Sequence, residues 1–330
     1  MTNIVVLLIF CLILLIYLHI HYQINSSSDL EVFELDNLTK DKLEKVCELR
    51  QPYVFTLDTN QIIGITQNEI INDYSNYLLK VRNINDIINN NISLPLSVVD
   101  TKKLLTEDTF SSYYTENNSE FLIETGVIKH LRSNDNILRP YMLSNSYYDI
   151  LYGSDNSYTP LRYELNYRNY IHVTSGTVTI RLIPPRYKVH LYIKKDYELF
   201  EFYSLINPWK PQDKYRDSFN KCKYLDVTLE KSQFLYIPAY WLYSIRFMNE
   251  STINTFKYRT YMNNIAILPH IILSYLQLQN IKTVIAKKYN TKENISSTNE
   301  INVEINTHDT SNKCEDTGSV TNKSPIQDID

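Results

Sequence analysis

The chain has 330 residues, enough for one sizeable domain with appendages. Its 33 basic and 37 acidic residues leave a net charge of -4, so no basic surplus marks it as a nucleic-acid binder. Four cysteines, Cys11, Cys47, Cys222 and Cys314, form no Cys-x-x-Cys pair, so neither a zinc ribbon nor a redox motif is indicated. Setting aside Cys11, which lies in an apolar stretch, an odd number remains. That argues against a disulfide framework and leaves a single Cys47–Cys222 bridge open. Tyr is frequent at 28, beside abundant Asn and Ile, while Gly is scarce at 5. The favoured residues have A/T-rich codons, so the composition reflects genome bias, as in a large DNA virus.

Ile4 to Tyr22 is almost wholly apolar, and no charged side chain occurs before Asp29. That stretch is about 19 residues, or roughly 28 Å of helix, enough to cross a bilayer core. Its start carries no Lys or Arg and no Ala-x-Ala follows, so residues 1–22 are expected to be an uncleaved single-pass signal anchor in a membrane. Neither flank is rich in Lys or Arg, so the orientation is not set. Residues 23–36 are expected to be a short stalk. Sequons begin at Asn25, Asn37, Asn91, Asn117, Asn249, Asn294 and Asn322, as chance allows at this Asn content, and do not place the chain in a lumen.

Leu30 to Leu35 alternates as a strand. Thr39 N-caps an expected helix with Leu43, Val46 and Leu49 at helical spacing, and Gln51 to Phe55 follows as a strand. Ile70 to Val81 is expected to be helical, and the Asn-rich segment Ile84 to Ser93 a loop. Leu104 to Met142 holds short helices and strands of no evident order. Asp149 to Ser154 leads through a Gly/Ser/Asn loop into a strand at Thr159. Arg181 to Ile183 ends at Pro184-Pro185, and Lys188 to Ile193 is a further strand candidate. Val227 to Lys231 is expected to be a strand and turn, and Ser244 to Phe247 with Ser251 to Tyr258 a closing hairpin. Pro269 opens a helix whose Ile271, Ile272, Tyr275, Leu276, Leu278, Ile281, Val284 and Ile285 form an apolar stripe up to Tyr289. Residues 290–330 are polar, lack aromatics and are expected to be a disordered tail.

Two motifs stand out. The first runs Thr159, Pro160, Arg162, Glu164, then Gly176, Val178 and Pro184-Pro185. The second runs Ser232, Gln233, Leu235, Tyr236, Ile237, Pro238, Trp241, Leu242 and Tyr243. Together they resemble the JmjC-like cupin family, in its branch similar to asparaginyl hydroxylases. Its motifs read Thr-Pro-x-His-x-Asp/Glu, Gly-x-Lys, Pro-Pro, and Gly-Asp-x-Leu-x-Ile-Pro-x-x-Trp-Trp-His. Between Glu164 and Gly176 this chain is one residue longer. The strand–helix–strand opening looks like the family's lead-in, and Phe200 to Asn220 resembles its connecting segment. The resemblance implies a β-dominated α+β domain over 37–289, a double-stranded β-helix (cupin barrel) with flanking helices. It also implies an Fe(II)/2-oxoglutarate oxygenase, and a homodimer through the helix at 269–289.

The chemistry departs from that pattern. Arg162 stands where the first iron-binding His would be, Tyr243 where the distal His would be, and Val178 at the cosubstrate lysine; only Glu164 is kept. A facial triad needs two imidazoles and a carboxylate. Arginine offers no lone pair, and a phenol ligates only when ionised, far above neutral pH. No metal, cofactor or catalytic residue is therefore expected. Alternate strand residues share a face, so Arg162 and Glu164 are expected to pair inside the barrel, with Tyr243 bonded to the guanidinium. Thr159, Tyr236 and Trp241 are expected to line the pocket. Such a pair is either a structural plug or a site where Arg162 grips a small carboxylate or phosphate. The leading reading is a membrane-anchored, catalytically degenerate binding or scaffold module with an unknown protein or small anionic partner. The alternatives are an oxygenase with a rearranged site recruiting His172 or His190, and a different small-ligand enzyme in the same barrel.

Overall fold

The computed structural model describes residues 2–36, 38–57, 63–85 and 93–279. The expected tail at 290–330, the end of the last helix at 280–289 and most of the Asn-rich segment, 86–92, lie outside the described residues.

The chain opens with α1, Thr2–Ile24, a helix long and apolar enough to cross a membrane, whose side chains from Ile4 to Leu18 are exposed. β1, Phe33–Leu35, and β2, Tyr53–Thr56, pair in parallel across α2, Lys40–Glu48. Leu43 and Cys47, four residues apart, form the buried face of α2, while Leu49 is exposed. α3, Gln67–Asp73, is opened by a capping box between Thr66 and Glu69 and ends at Tyr74, whose N–H bonds the Ile70 carbonyl. The helix expected to reach Val81 stops there. β3, Leu78–Asn83, follows, and its buried Leu79 and Val81 keep the period of two. β3 joins β4, Ser93–Ser97, and β5, Tyr113–Thr115, in a small sheet, with α4, Val98–Glu107, between them in sequence. Three short helices come next, α5 Ser119–Glu124, α6 Ile128–Ser133 and α7 Asp135–Leu138.

The main sheet adds β6 Leu143–Tyr152, β7 Arg162–Tyr163, β8 Arg168–Ile183, β9 Ile193–Asp196, β10 Glu201–Ser204, β11 Leu225–Leu229, β12 Gln233–Pro238 and β13 Leu242–Thr260. A short α8, Arg216–Phe219, lies between β10 and β11. The expected strand at Lys188 to Ile193 is instead a 3-10 turn, Pro185–His190, followed by β9; the fixed φ of Pro185 suits the first position of that turn.

β8 and β13 run antiparallel along nearly their whole length and organise the domain. The expected closing hairpin does not form, because Ser244–Phe247 and Ser251–Tyr258 belong to one strand and both pair with β8. Between them Asn249 and Glu250 adopt positive φ, a bulge that turns the strand without ending it. Opposite the bulge sits Gly176, at φ +70°, where a Cβ would stand 2.6 Å from the Asn249 carbonyl oxygen and the Ser251 Cα. The first half of β8 pairs with β12 and the second with β11. Likewise the first half of β13 pairs with β7 and the second with β6. One mixed sheet thus has two halves, β1-β2-β12-β8-β13-β6 and β11-β8-β13-β7-β10-β9, sharing β8 and β13. Val178, Ile180, Leu182, Tyr203, Ile245 and Phe247 pack into one apolar core. A second core joins Leu43 and Phe55 to Tyr170, Tyr236 and Phe256.

The chain ends with α9, Tyr261–Ala266, and α10, Leu268–Leu278, which has Pro269 in its first turn. Of the expected stripe, Ile271, Ile272, Tyr275, Leu276 and Leu278 lie on α10, while Ile281, Val284 and Ile285 lie outside the described residues; Ile272, Leu273, Tyr275 and Leu276 are exposed.

The segment after α1, at the start of the expected stalk, is bonded to the domain. Ser26 Oγ donates to the Ala239 carbonyl at 2.7 Å, Trp241 Nε1 donates to the Ser27 carbonyl at 2.9 Å, and Arg50 donates to the carbonyls of Tyr22 and Asn25. The Cys47–Cys222 bridge that the cysteine count leaves open is not formed. Both thiols are free, and Cys47 Sγ lies 2.9 Å from the Tyr53 hydroxyl and 3.3 Å from that of Tyr170.

Candidate ligand cavity

β7 is only two residues long, held between β13 and β10, and it delivers Arg162 to the inner side of the sheet. The guanidinium is buried, and its partner is Glu116 just after β5, not Glu164. The expected Arg162–Glu164 pair fails because a carboxylate from the other sheet reaches the guanidinium. The other oxygen of Glu116 accepts from Arg82 Nη1 at 2.8 Å, and Arg82 Nη2 lies 3.0 Å from Glu201. Burial opposes the charge on Glu116, but Arg162 and then Arg82 outweigh it and hold its carboxyl down at about 2.

Glu164 has a different cation. Lys257 of β13 donates to its Oε1 at 2.7 Å, and the Tyr243 hydroxyl donates to the same oxygen at 3.1 Å. Burial would raise the Glu164 carboxyl, yet Lys257 first and Arg162 second lower it. Tyr243 therefore bonds the carboxylate rather than the guanidinium, which lies over its ring, 5.6 Å from the centroid. Burial and the Glu164 charge push the Tyr243 phenol up to about 12, so it stays a donor at neutral pH.

Glu116, Arg162, Glu164 and Lys257 face a cavity of about 660 Å³, whose lining also includes Asp149 and Arg259. The size suits a small-molecule site. Asp149 accepts the backbone N–H groups of Asn117 at 2.7 Å and Asn118 at 2.8 Å. Burial, then the charge of Glu116, hold its carboxyl up at about 6.

The other expected pocket residues lie elsewhere. Thr159 Oγ1 accepts from the Ile245 N–H at 2.9 Å, tying the strand ends together. Tyr236 is packed between the rings of Tyr53 and Tyr170, and its hydroxyl donates to the Cys47 carbonyl at 3.4 Å. Trp241 is spent on the Ser27 carbonyl, and Val178 is fully buried in the apolar core. Their motif positions are frame positions in this chain. The cations and acids that reasoning from the motifs missed, Arg82, Glu116, Asp149, Lys257 and Arg259, come from β3, β5, β6 and β13 or the residue following. Lys257 and Arg259 had a legible signal, alternation on one strand face with Thr255.

His172, a candidate replacement ligand, is stacked on Phe234 with ring centroids 4.0 Å apart. It lines a separate cavity of about 170 Å³ with Gly64 and Thr174, and burial pushes it down to about 3. His190 ends the 3-10 turn and does not line the large cavity.

A family model described as a cupin-like domain matches residues 73–264. The chain belongs to the cupin-like domain family. No curated protein matches it. The matched region of this cupin-like protein holds both motifs, the long strand pair and every charged group named around the cavity; α1, β1, α2, β2, all of α3 but Asp73, and α10 lie outside it. Fe(II) does not fit these residues. Arg162 has no lone pair to give and is tied to Glu116, and the Tyr243 hydroxyl is a donor to Glu164. Glu164, the one ligand type kept, already serves Lys257. Among the described residues no group of three His, Cys, Asp or Glu could hold a metal ion.

Proposed function

We propose that this cupin-like protein is a double-stranded β-helix whose Fe(II)/2-oxoglutarate site has given way to a charge network. In this reading it is a membrane-anchored pseudo-dioxygenase, and its cavity binds a small ligand without oxidising it. The observation that carries the reading is Arg162 at the place of the first iron-binding His, buried and paired with Glu116. A fixed cation there repels a divalent metal and cannot be titrated away. α1 supports the anchor by length and composition. The exposed Ile272, Leu273 and Leu276 of α10 are the surface through which two copies would pair.

Iron analysis of the purified full chain, after incubation with Fe(II) and removal of excess, tests the reading. The expected content is far below one iron per chain. One iron per chain, lost in Glu164→Ala and accompanied by 2-oxoglutarate turnover, would establish the rearranged oxygenase instead.

A further inference from the structure

β13 presents Thr255, Lys257 and Arg259 at alternate positions, so one strand face lines the large cavity with three side chains in a row. Two are defined by what they touch or lack. Lys257 is neutralised by Glu164, and among the described residues Thr255 Oγ1 is buried without a hydrogen-bond partner. Arg162, on the cavity's inner side, is neutralised by Glu116, but its Nε is also buried and unpartnered.

Arg259 differs from the other cavity cations. Among the described residues no carboxylate forms an ion pair with it. Its Nε donates to Asn166 Oδ1 at 2.6 Å, and the Asn166 amide in turn donates to Glu164 Oε2 at 3.3 Å. The guanidinium is held over two rings, 5.1 Å from the Tyr147 centroid and 4.8 Å from that of Phe200. One edge is thus fixed, while among the described residues no hydrogen bond or ion pair engages the Nη fork. Burial lowers the pKa of the guanidinium and outweighs the opposing pull of Tyr147 and of Glu164, which reaches it only through Asn166. A guanidinium in this state favours a planar or tetrahedral oxyanion that can take two parallel N–H bonds.

We infer that Arg259 anchors the anionic head, a carboxylate or a phosphate, of a small organic ligand lying along Thr255, Lys257 and Arg259. The inference rests on the cavity being a ligand site. It moves the anion position from Arg162, which Glu116 already occupies, to the cavity cation that has no ion-pair partner among the described residues. The body of the ligand would reach the unpartnered Thr255 hydroxyl and the Lys257 ammonium.

Matched probes test it by calorimetry on the full chain in detergent micelles. Glutarate is compared with glutaramide, and glycerol 3-phosphate with glycerol, so the two arms separate carboxylate from phosphate. At least one anion is expected to bind about tenfold or more tighter than its neutral counterpart. Arg259→Gln should abolish that preference, and Arg246→Gln, outside the cavity, should leave it unchanged. Arg259→Lys keeps the charge but not the fork, and should bind more weakly than wild type even if the Gln variant fails to fold. A preference unchanged in Arg259→Gln or Arg259→Lys, or no preference in the wild type, overturns the anchor. Neutral probes that bind as well as anions, and lose binding in Thr255→Trp, would keep the cavity as a ligand site and remove only the anchor. No binding by any of the four probes would overturn both.

Discussion

Glu116 sits between two guanidiniums, and its environment decides how the cavity tolerates change. Glu116→Gln leaves Arg82 and Arg162 buried and facing one another. Breaking a buried pair this way costs roughly 3–5 kcal/mol. Arg162→Met leaves Glu116 paired with Arg82 and should cost only about 1–2 kcal/mol. Urea denaturation of the two variants checks the order. The pH dependence follows from the same carboxyl, whose folded pKa of about 2 lies below its ordinary 4.5. A depressed carboxyl binds fewer protons in the native state, so its stabilisation is present above about 4.5 and lost as pH falls through about 2. Asp149 acts in the opposite sense. Its pKa is raised from 3.8 to about 6, so stability on its account declines as pH rises through that window. Glu116→Gln should remove the acid-side loss and, by taking away the charge that helps hold the Asp149 carboxyl up, shrink the Asp149 slope to the part that burial alone supplies.

At the scale of elements, the bend of β8 against β13 depends on one glycine. Gly176 combines positive φ with a Cβ direction blocked by backbone at 2.6 Å. Neither atom is the end of a flexible side chain, so the bulge itself must move. Gly176→Ala should cost about 2–3 kcal/mol. Gly126, with a similar φ of +76° and no atom within 4 Å, supplies the contrast: Gly126→Ala pays only for conformation, about 1 kcal/mol. Equal losses in thermal melts of the two variants would show that the close approach is unimportant. Local patterns located most of the elements and misjudged where some continue. Ile70 to Val81 carries apolar residues compatible with either period, and the structure divides it between α3 and β3. Ser244 to Phe247 and Ser251 to Tyr258 read as the two arms of a hairpin around Asn249, a turn-favouring residue; pairing of both with β8 on either side of a bulge makes them one strand.

For the whole molecule, the question is how the apolar helix joins the domain. Arg50 donates to the Tyr22 and Asn25 carbonyls at the end of α1 and lies over the Tyr22 ring, 4.6 Å from the centroid. Ser26 and Ser27 add bonds to Ala239 and Trp241. The domain is thus docked on the end of α1 rather than hung from a loose tether. Arg50→Ala should expose the connection, giving faster protease cleavage between residues 25 and 31 while the cavity's probe binding is unchanged. Cleavage at the wild-type rate would mean that Ser26, Ser27 and Trp241 suffice.

The sequence by itself determined what depends on residue type and local order. These are an uncharged apolar stretch of bilayer length, the two motifs that set the β8 and β12–β13 frame, and an arginine, which has no lone pair for a metal, at the motif position where the resemblance expects a histidine. Only the tertiary structure decided the partners. Arg162 is paired by Glu116 and Glu164 by Lys257 because separate strands converge on one cavity. Charge pairing acts through space at a few ångströms and leaves no periodic trace along the chain. Arg259, unpaired within the described residues, is recognisable only once every other cation around the cavity has been given its carboxylate.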